Sequence, residues 1–421
     1  MKKTIIASSL LSLAVAAPAL AVEGNTSVKG VHKLDHVFVI MMENHGYSQV
    51  IGNPNLPFVN SYAKSANLAT GYFAVAHPSL TNYLEIVGGS NFGIHSDNKP
   101  DWHNTNCQTN LSTGVANTDY PPSPVICPIS GAGTDAATPA VDTTNETQGA
   151  PGLNNIDGVL SIPAATNISG KTIADQLVNA KKSWKSYQES IPLTGVDGVN
   201  YSDGLYSNLT DFSTILPAQT PALNSGDIVN LYAAKHNPFV YFQNIQAGTN
   251  PDLSLSNTVG FDGANGLYAD LSNGNAPNFS YIVPNQCNDQ HGQGNSTPFC
   301  AYDPTDNGSQ AGLNPALMQA GDVTVEKLVN AIHNSSAWKE HDSAIVVIWD
   351  ENDYSTAPNV NNVALIVETN YGVQGKQSAN YYNHFSLLKT IEGGLGLPCL
   401  NHACDADVNV ISDLFGKQDH Q

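Results

Sequence analysis

Apolar and polar residues fall in blocks along this chain. Residues 37–42 (Val-Phe-Val-Ile-Met-Met) are unbroken apolar sequence, the mark of a strand covered on both faces of its sheet. Runs at 239–242, 279–283, 344–349 and 363–367 have the same character and predict four more strands. Between them, residues 172–185 and 323–333 place apolar side chains at three- and four-residue spacing, which predicts helices; residues 80–87 predict another directly after Ser79. Strands alternating with helices predict an α/β protein, three αβα layers around a largely parallel central sheet. Residues 101–165, rich in Thr, Asn, Pro, Gly and Ala, break this rhythm, and residues 286–315 form a shorter excursion. No repeat, heptad or linker divides the chain. We therefore expect one domain over residues 22–421, with both excursions inserted over the active-site face.

The first 21 residues change the compartment. Lys2 and Lys3, the apolar run 5–17 and Ala19-Leu20-Ala21 predict a cleaved secretory signal, with a mature chain starting at Val22. No twin arginine is present, which favours the general secretion route, to a periplasm or outside the cell. No later stretch is long and apolar enough to predict a transmembrane anchor. All 16 basic residues are lysines, set against 36 Asp and Glu, for a net charge of −20; removing Lys2 and Lys3 makes it −22. Such an acidic chain argues against nucleic acid as a partner. The absence of arginine excludes phosphatase mechanisms built on an Arg beside a Cys or His nucleophile, so phosphate chemistry here has to use metals, backbone N–H groups, His or Lys. Six cysteines fit an oxidising compartment, and their local spacing suggests the pairs Cys107–Cys127, Cys287–Cys300 and Cys399–Cys404.

In open parallel sheets, ligands bind beyond the carboxyl ends of the strands. There this chain carries Glu43 and Asn44 after the first run, Asn285, Asp289 and His291 after the third, and Asp350 and Glu351 after the fourth. Such oxygen and nitrogen donors, with the later His384, suit zinc, manganese or magnesium. Ser79, within His77-Pro-Ser-Leu-Thr-Asn-Tyr83, has no Ser-His-Asp arrangement or Gly-x-Ser-x-Gly elbow around it. Coordination to a metal is then the remaining way to activate its hydroxyl, and the helix expected over 80–87 offers N–H donors to an anion. Each residue also has a plainer role open to it. Ser79 fits a helix cap, with Thr81 the fallback nucleophile. His384 fits a capping or half-buried histidine, and His291 a surface histidine. His77 and His236 either line the site or are satisfied by backbone.

Taken together, Met-Met-Glu43-Asn44-His, His77-Pro-Ser79-x-x-Asn82-Tyr83, Pro284-Asn285-x-Cys287-x-Asp289-x-His291 and Trp349-Asp350-Glu351 resemble the bacterial phosphoesterase family. That family includes metal-dependent phospholipases C and acid phosphatases with an alkaline-phosphatase-like fold. The resemblance runs in ordered blocks over roughly the whole mature chain and is weakest through 101–165. It implies Ser79 as nucleophile and ligand, with Glu43, Asp350 and Glu351 around one metal and Asn44 beside them. It also implies Asp289, His291 and His384 at a second metal, and Asn98 on a phosphoryl oxygen. His77, Asn82, His236 and Asn285 are the candidates for lining the substrate pocket. Where the superfamily pairs Asp with His, this chain has Asp350-Glu351, so one ion or two is left open. Gly-Tyr after Glu43-Asn44-His and the acidic mature chain look closest to secreted zinc phospholipases C. The expected function is hydrolysis of phosphatidylcholine-type lipids to diacylglycerol and a phosphorylated head group, by peripheral contact with a membrane surface. A broad acid phosphatase acting on phosphate monoesters is the alternative, and a non-catalytic secreted surface protein is the alternative of another class.

Overall fold

The computed structural model describes residues 23–77, 79–92, 168, 170–191, 195, 231–292, 300–305, 308–352 and 361–416. The expected signal, Asn98, the insertion 101–165 and the pair Cys107–Cys127 lie outside the described residues.

Eight strands form the central sheet: β1 (His36–Met42), β2 (Asn67–Ala69), β3 (Trp184–Gln188), β4 (Thr258–Val259), β5 (Phe279–Val283), β6 (Ser343–Trp349), β7 (Leu365–Thr369) and β8 (Gln377–Ser378). Their spatial order is β8-β2-β7-β6-β1-β5-β3-β4, and β7 alone runs against its neighbours. The two strands with the longest apolar runs, β1 and β6, pair over seven residues at the centre, with β5 on the other side of β1. Both faces of these strands are covered, so their side chains are buried along almost the whole length and no apolar–polar alternation appears. The longer flanking helices are α1 (Pro57–Ser65), α2 (Ser79–Gly88), α3 (Pro315–Asn334) and α4 (His384–Gly394). They pack in pairs, α1 against α3 and α2 against α4. The result is the expected α/β class: layered helices around a mixed, mostly parallel sheet.

Two expected elements differ. Residues 239–242 are fully buried as expected, yet residues 239–241 lie in a 3-10 turn, Pro238–Tyr241, that Phe242 closes, and none of them belongs to a strand. Pro238 supplies the fixed φ that opens such a turn and has no N–H to give a sheet ladder. The helix expected over 172–185 stops early, at Ile173–Asn179, and Trp184–Gln188 enters the sheet as β3. Lys181, at φ 59°, marks the break. The expected disulfides Cys287–Cys300 and Cys399–Cys404 are both formed.

Candidate active site

Backbone hydrogen bonds continue beyond the strand ends and fix the residues just past them. The Glu43 N–H donates to the Asp289 carbonyl, and the Asp350 N–H donates to the Met42 carbonyl. Because β1 lies between β5 and β6, Glu43 is held between Asp289 on one side and Asp350 on the other. Asn44 then turns the chain at φ 55°, which Asn tolerates better than most residues, and its N–H donates to Asp350 Oδ1 at 3.1 Å.

Helix α2 delivers the nucleophile candidate. All ten of its residues are buried, including Ser79, Thr81, Asn82, Tyr83 and Glu85. Buried polar groups need partners, and three of these find them among the strand-end carboxylates. Ser79 Oγ lies 3.2 Å from Glu43 Oε2 and 3.3 Å from Glu351 Oε1. Tyr83 donates to Glu43 Oε1 at 2.6 Å, and Asn82 donates to Glu351 Oε2 at 3.0 Å. Asn82 also accepts from the N–H groups of Val75 and Ala76, tying the helix start to the segment before it. His77 Nδ1 sits 2.8 Å from Glu351 Oε2. At the far end of the helix Gly89 has φ +68°, and a Cβ there would lie 2.4 Å from the Leu400 carbonyl oxygen, so only glycine fits this close approach.

Histidines close the other side. His236, from the 3-10 turn Ala234–His236, places Nε2 2.9 Å from Glu43 Oε1 and Nδ1 3.3 Å from Asp289 Oδ2. Its ring stacks on Tyr83. Burial disfavours its charged form, but Glu43 and Asp289 outweigh burial and raise its pKa to about 10. Burial likewise disfavours ionised Glu43, yet the adjacent His236 cation wins and holds that carboxyl well below the usual range. Burial lifts Asp289 to about 6 against the opposing pull of His236. Asp350 is raised well above its ordinary value, first by burial and then by the charges of Glu43 and Glu351.

His291 is set differently. Its Nδ1 faces the Gly292 carbonyl at 2.9 Å, which leaves Nε2 as the lone-pair nitrogen pointing into the site. Burial lowers its pKa to about 3, and the Lys235 charge adds to this, so the ring stays neutral. The donor atoms of Glu43, His236 and His291 lie within 4.8 Å of one another. Four buried carboxylates, a neutral imidazole and an Asp350 Oδ2 atom with no hydrogen-bond partner among the described residues make a donor set that fits a divalent cation.

Ser79, Glu43, Glu351, Asp350, Asp289, His291, His236, His77 and Asn82 therefore come together. Glu43 joins what the resemblance treats as two separate ligand groups. Two expected residues face elsewhere. His384 is enclosed between the Tyr72 hydroxyl at 2.9 Å and the Asp350 backbone carbonyl at 2.7 Å, so it braces the turn that carries Asp350. Asn285 caps its own turn by accepting from the N–H groups of Cys287 and Asn288. Other contributors escaped sequence reasoning. Glu189, just past β3, accepts from the Asn285 N–H and from the Asn288 side chain, and so fixes the loop leading to Asp289. His45 links the Glu43 carbonyl to Asp303. Lys235 reaches His291 Nε2 at 3.2 Å. The available signal was polar residues within the otherwise apolar stretch 231–242, where Lys235 and His236 stand side by side.

The model of the Phosphoesterase family matches residues 53–301, more than half of the chain. The chain belongs to that family. Ser79, His236, Asp289 and His291 fall inside the matched segment, while Glu43, Asp350 and Glu351 fall outside it. An acid phosphatase of Aspergillus fumigatus is 23% identical over 393 residues, covering 93% of this chain and 61% of the relative. A phosphatidylinositol-3-phosphatase of Mycobacterium tuberculosis is 22% identical, covering 90% of this chain and 83% of the relative. This chain thus spans about three fifths of the fungal relative's length. A solved protein of the alkaline phosphatase superfamily from Vibrio parahaemolyticus superposes with a TM-score of 0.41 at 14% identity, covering 91% of this chain and 72% of that one.

Proposed function

We propose that this chain is an exported, metal-dependent hydrolase of phosphate monoesters, with Ser79 as nucleophile. The observation that carries the reading is Ser79 Oγ held between Glu43 and Glu351 at the start of a buried helix, inside a donor set fit for a divalent cation. A bound divalent metal would neutralise the carboxylates, favour ionisation of the serine hydroxyl and polarise the phosphoryl group. Ser79 Oγ then forms a bond to phosphorus as the ester P–O bond breaks and the alcohol departs. The serine proton has two acceptors in reach, Glu43 Oε2 and Glu351 Oε1. Tyr83 and His236 hold Glu43 in place, and Asn82 and His77 hold Glu351. Water subsequently releases phosphate from Ser79 and restores the hydroxyl. Zinc is the metal we assign, on the mixed imidazole and carboxylate donors.

Relatives named as acid phosphatases favour monoesters over the phospholipase C activity expected from the motifs. Phospholipase C stays as the second reading, on the Glu43-Asn44-His45-Gly46-Tyr47 stretch. The mature protein should hydrolyse p-nitrophenyl phosphate, lose that activity on chelation and regain it with zinc. Turnover of p-nitrophenyl phosphorylcholine alone would select the phospholipase reading. Failure on both substrates and on phosphatidylcholine vesicles would leave the non-catalytic surface protein.

A further inference from the structure

Among the described residues the exposed large apolar side chains are Tyr302, 52% exposed, and Val373. A single exposed apolar ring is ordinary on any surface, but Tyr302 is mounted rigidly and stands beside the site. Cys300, two residues before it, is joined to Cys287. The Ala301 carbonyl accepts from the Asn314 side chain at 2.9 Å. On the other flank, Asp303 Oδ1 accepts from the Asn314 N–H at 2.6 Å, and Asp303 Oδ2 lies 2.9 Å from His45 Nε2. The loop carrying Asp289 and His291 presses against the same segment: Gly292 has φ +83°, and a Cβ there would come 3.1 Å from Tyr302 Cα. The Tyr302 ring meets the His291 ring edge to face, with centroids 5.9 Å apart. A ring fixed in this way loses little freedom when a ligand stacks on it.

Its side of the site matters. Ser79 Oγ lies between Glu43, beyond β1, and Glu351, beyond β6, whereas His291 follows β5, on the opposite side of β1. In phosphoryl transfer the attacking and leaving oxygens lie roughly in line across phosphorus, so the alcohol departs on the side away from the nucleophile. With Ser79 attacking from the β1–β6 side, that is the β5 side, where Tyr302 stands. We infer that Tyr302 is the platform for the leaving alcohol, and that this chain prefers phosphate monoesters whose alcohol carries a flat ring close to the ester oxygen. The inference rests on the proposed hydrolase function and names its substrate class. A tyrosine that only supported His291 would behave differently, because its loss would disturb that histidine and slow every ester alike.

Phosphate release from phenyl phosphate and from ethyl phosphate, measured for zinc-loaded wild type, Tyr302→Ala and Tyr302→Phe, tests this. Each comparison is between variants on one substrate, so the different intrinsic reactivities of the two esters cancel. Tyr302→Ala should lower kcat/KM for phenyl phosphate about three- to tenfold, as expected for one lost ring–ring contact, and leave ethyl phosphate within about twofold. Tyr302→Phe keeps the ring and should stay within about twofold of wild type on both. The same contrast should appear without turnover: isothermal titration should show Tyr302→Ala binding phenylphosphonate about threefold or more weakly than wild type, and methylphosphonate equally well. If Tyr302→Ala fails to fold by circular dichroism, Tyr302→Leu, apolar but not flat, replaces it. Equal losses on the phenyl and ethyl ligands, or no loss on the phenyl ones, overturn the inference while leaving the hydrolase reading intact. Zinc-loaded wild type that releases phosphate from neither ester overturns both.

Discussion

Ser79 has one hydroxyl proton and two carboxylates competing for it, Glu43 Oε2 and Glu351 Oε1. A helix cap would instead direct its oxygen towards backbone N–H groups of the first turn. Thr81 lies two residues further on, about 200° around the helix axis, so the two hydroxyls cannot face the same carboxylate pair. Ser79→Ala should therefore lower kcat for p-nitrophenyl phosphate by at least about a thousandfold. Far-UV circular dichroism and the thermal midpoint should stay close to wild type, because only one small polar atom is removed. Near-normal rates in that variant would transfer the nucleophile's role to Thr81 or to water. At this scale the sequence was informative about which residues carry charge or a hydroxyl, and the expected residues Ser79, Glu43, Asp289, His291, Asp350 and Glu351 do converge. It was silent on His384, since a histidine opening a helix looks alike whether its ring faces a metal or, as here, Tyr72 and the Asp350 carbonyl.

Among elements, α1 and α3 offer a separate test. Asp322 of α3 accepts from the N–H groups of Phe58 and Val59 at the start of α1, whose own preceding residue, Leu56, has no side-chain oxygen to cap it. Burial raises the Asp322 pKa from 3.8 to about 6, more than the two N–H groups lower it. A folded-state pKa above the unfolded value means that the unfolded chain releases its proton first. The contribution to stability is then full below about pH 4 and is lost as pH rises through about 6. Urea unfolding of wild type and Asp322→Asn at pH 4.5, 5.5 and 7 should show wild type losing ground to the variant as pH rises; a pH-independent difference would contradict this. Element type was legible where composition was least ambiguous: β1, β6 and β7 overlap unbroken apolar runs, and β5 a run interrupted only by Ser280. It was not legible for β3, where Lys185, Ser186 and Gln188 look exposed. In the fold Lys185 pairs with Asp270, Ser186 donates to Asn237, and Gln188 donates to Ser186 and the His236 carbonyl. Only partners distant in sequence make such polar residues fit a sheet interior.

Across the whole molecule, the site gathers Glu43 from beyond β1, Asp289 from beyond β5 and Asp350 and Glu351 from beyond β6 at one end of the sheet. Mutual repulsion and burial keep the metal-free assembly under electrostatic load, as the raised Asp350 shows. A cation that binds only the folded arrangement should stabilise it, by about 2.7 kcal/mol at one hundred times its Kd. Differential scanning calorimetry should accordingly show a higher Tm with zinc than after chelation. Equal midpoints in both conditions would argue against a cation at these strand ends.

The sequence alone determined the covalent inventory and the local preferences. These are apolar runs that have to be buried, the absence of arginine that directs phosphate chemistry to metal, His or Lys, and carboxylates placed just past strand ends. Such features are legible because they depend on composition and short spacing. Tertiary structure decided which of them meet. The strand order β5-β1-β6 puts Asp289, Glu43 and Asp350 side by side across more than 300 residues of chain, from Glu43 to Asp350. The same packing brings His236 and Lys235 to Glu43 and His291, and turns His384 away to brace the Asp350 turn. Contact at that range comes from which faces pack, and no local pattern encodes it.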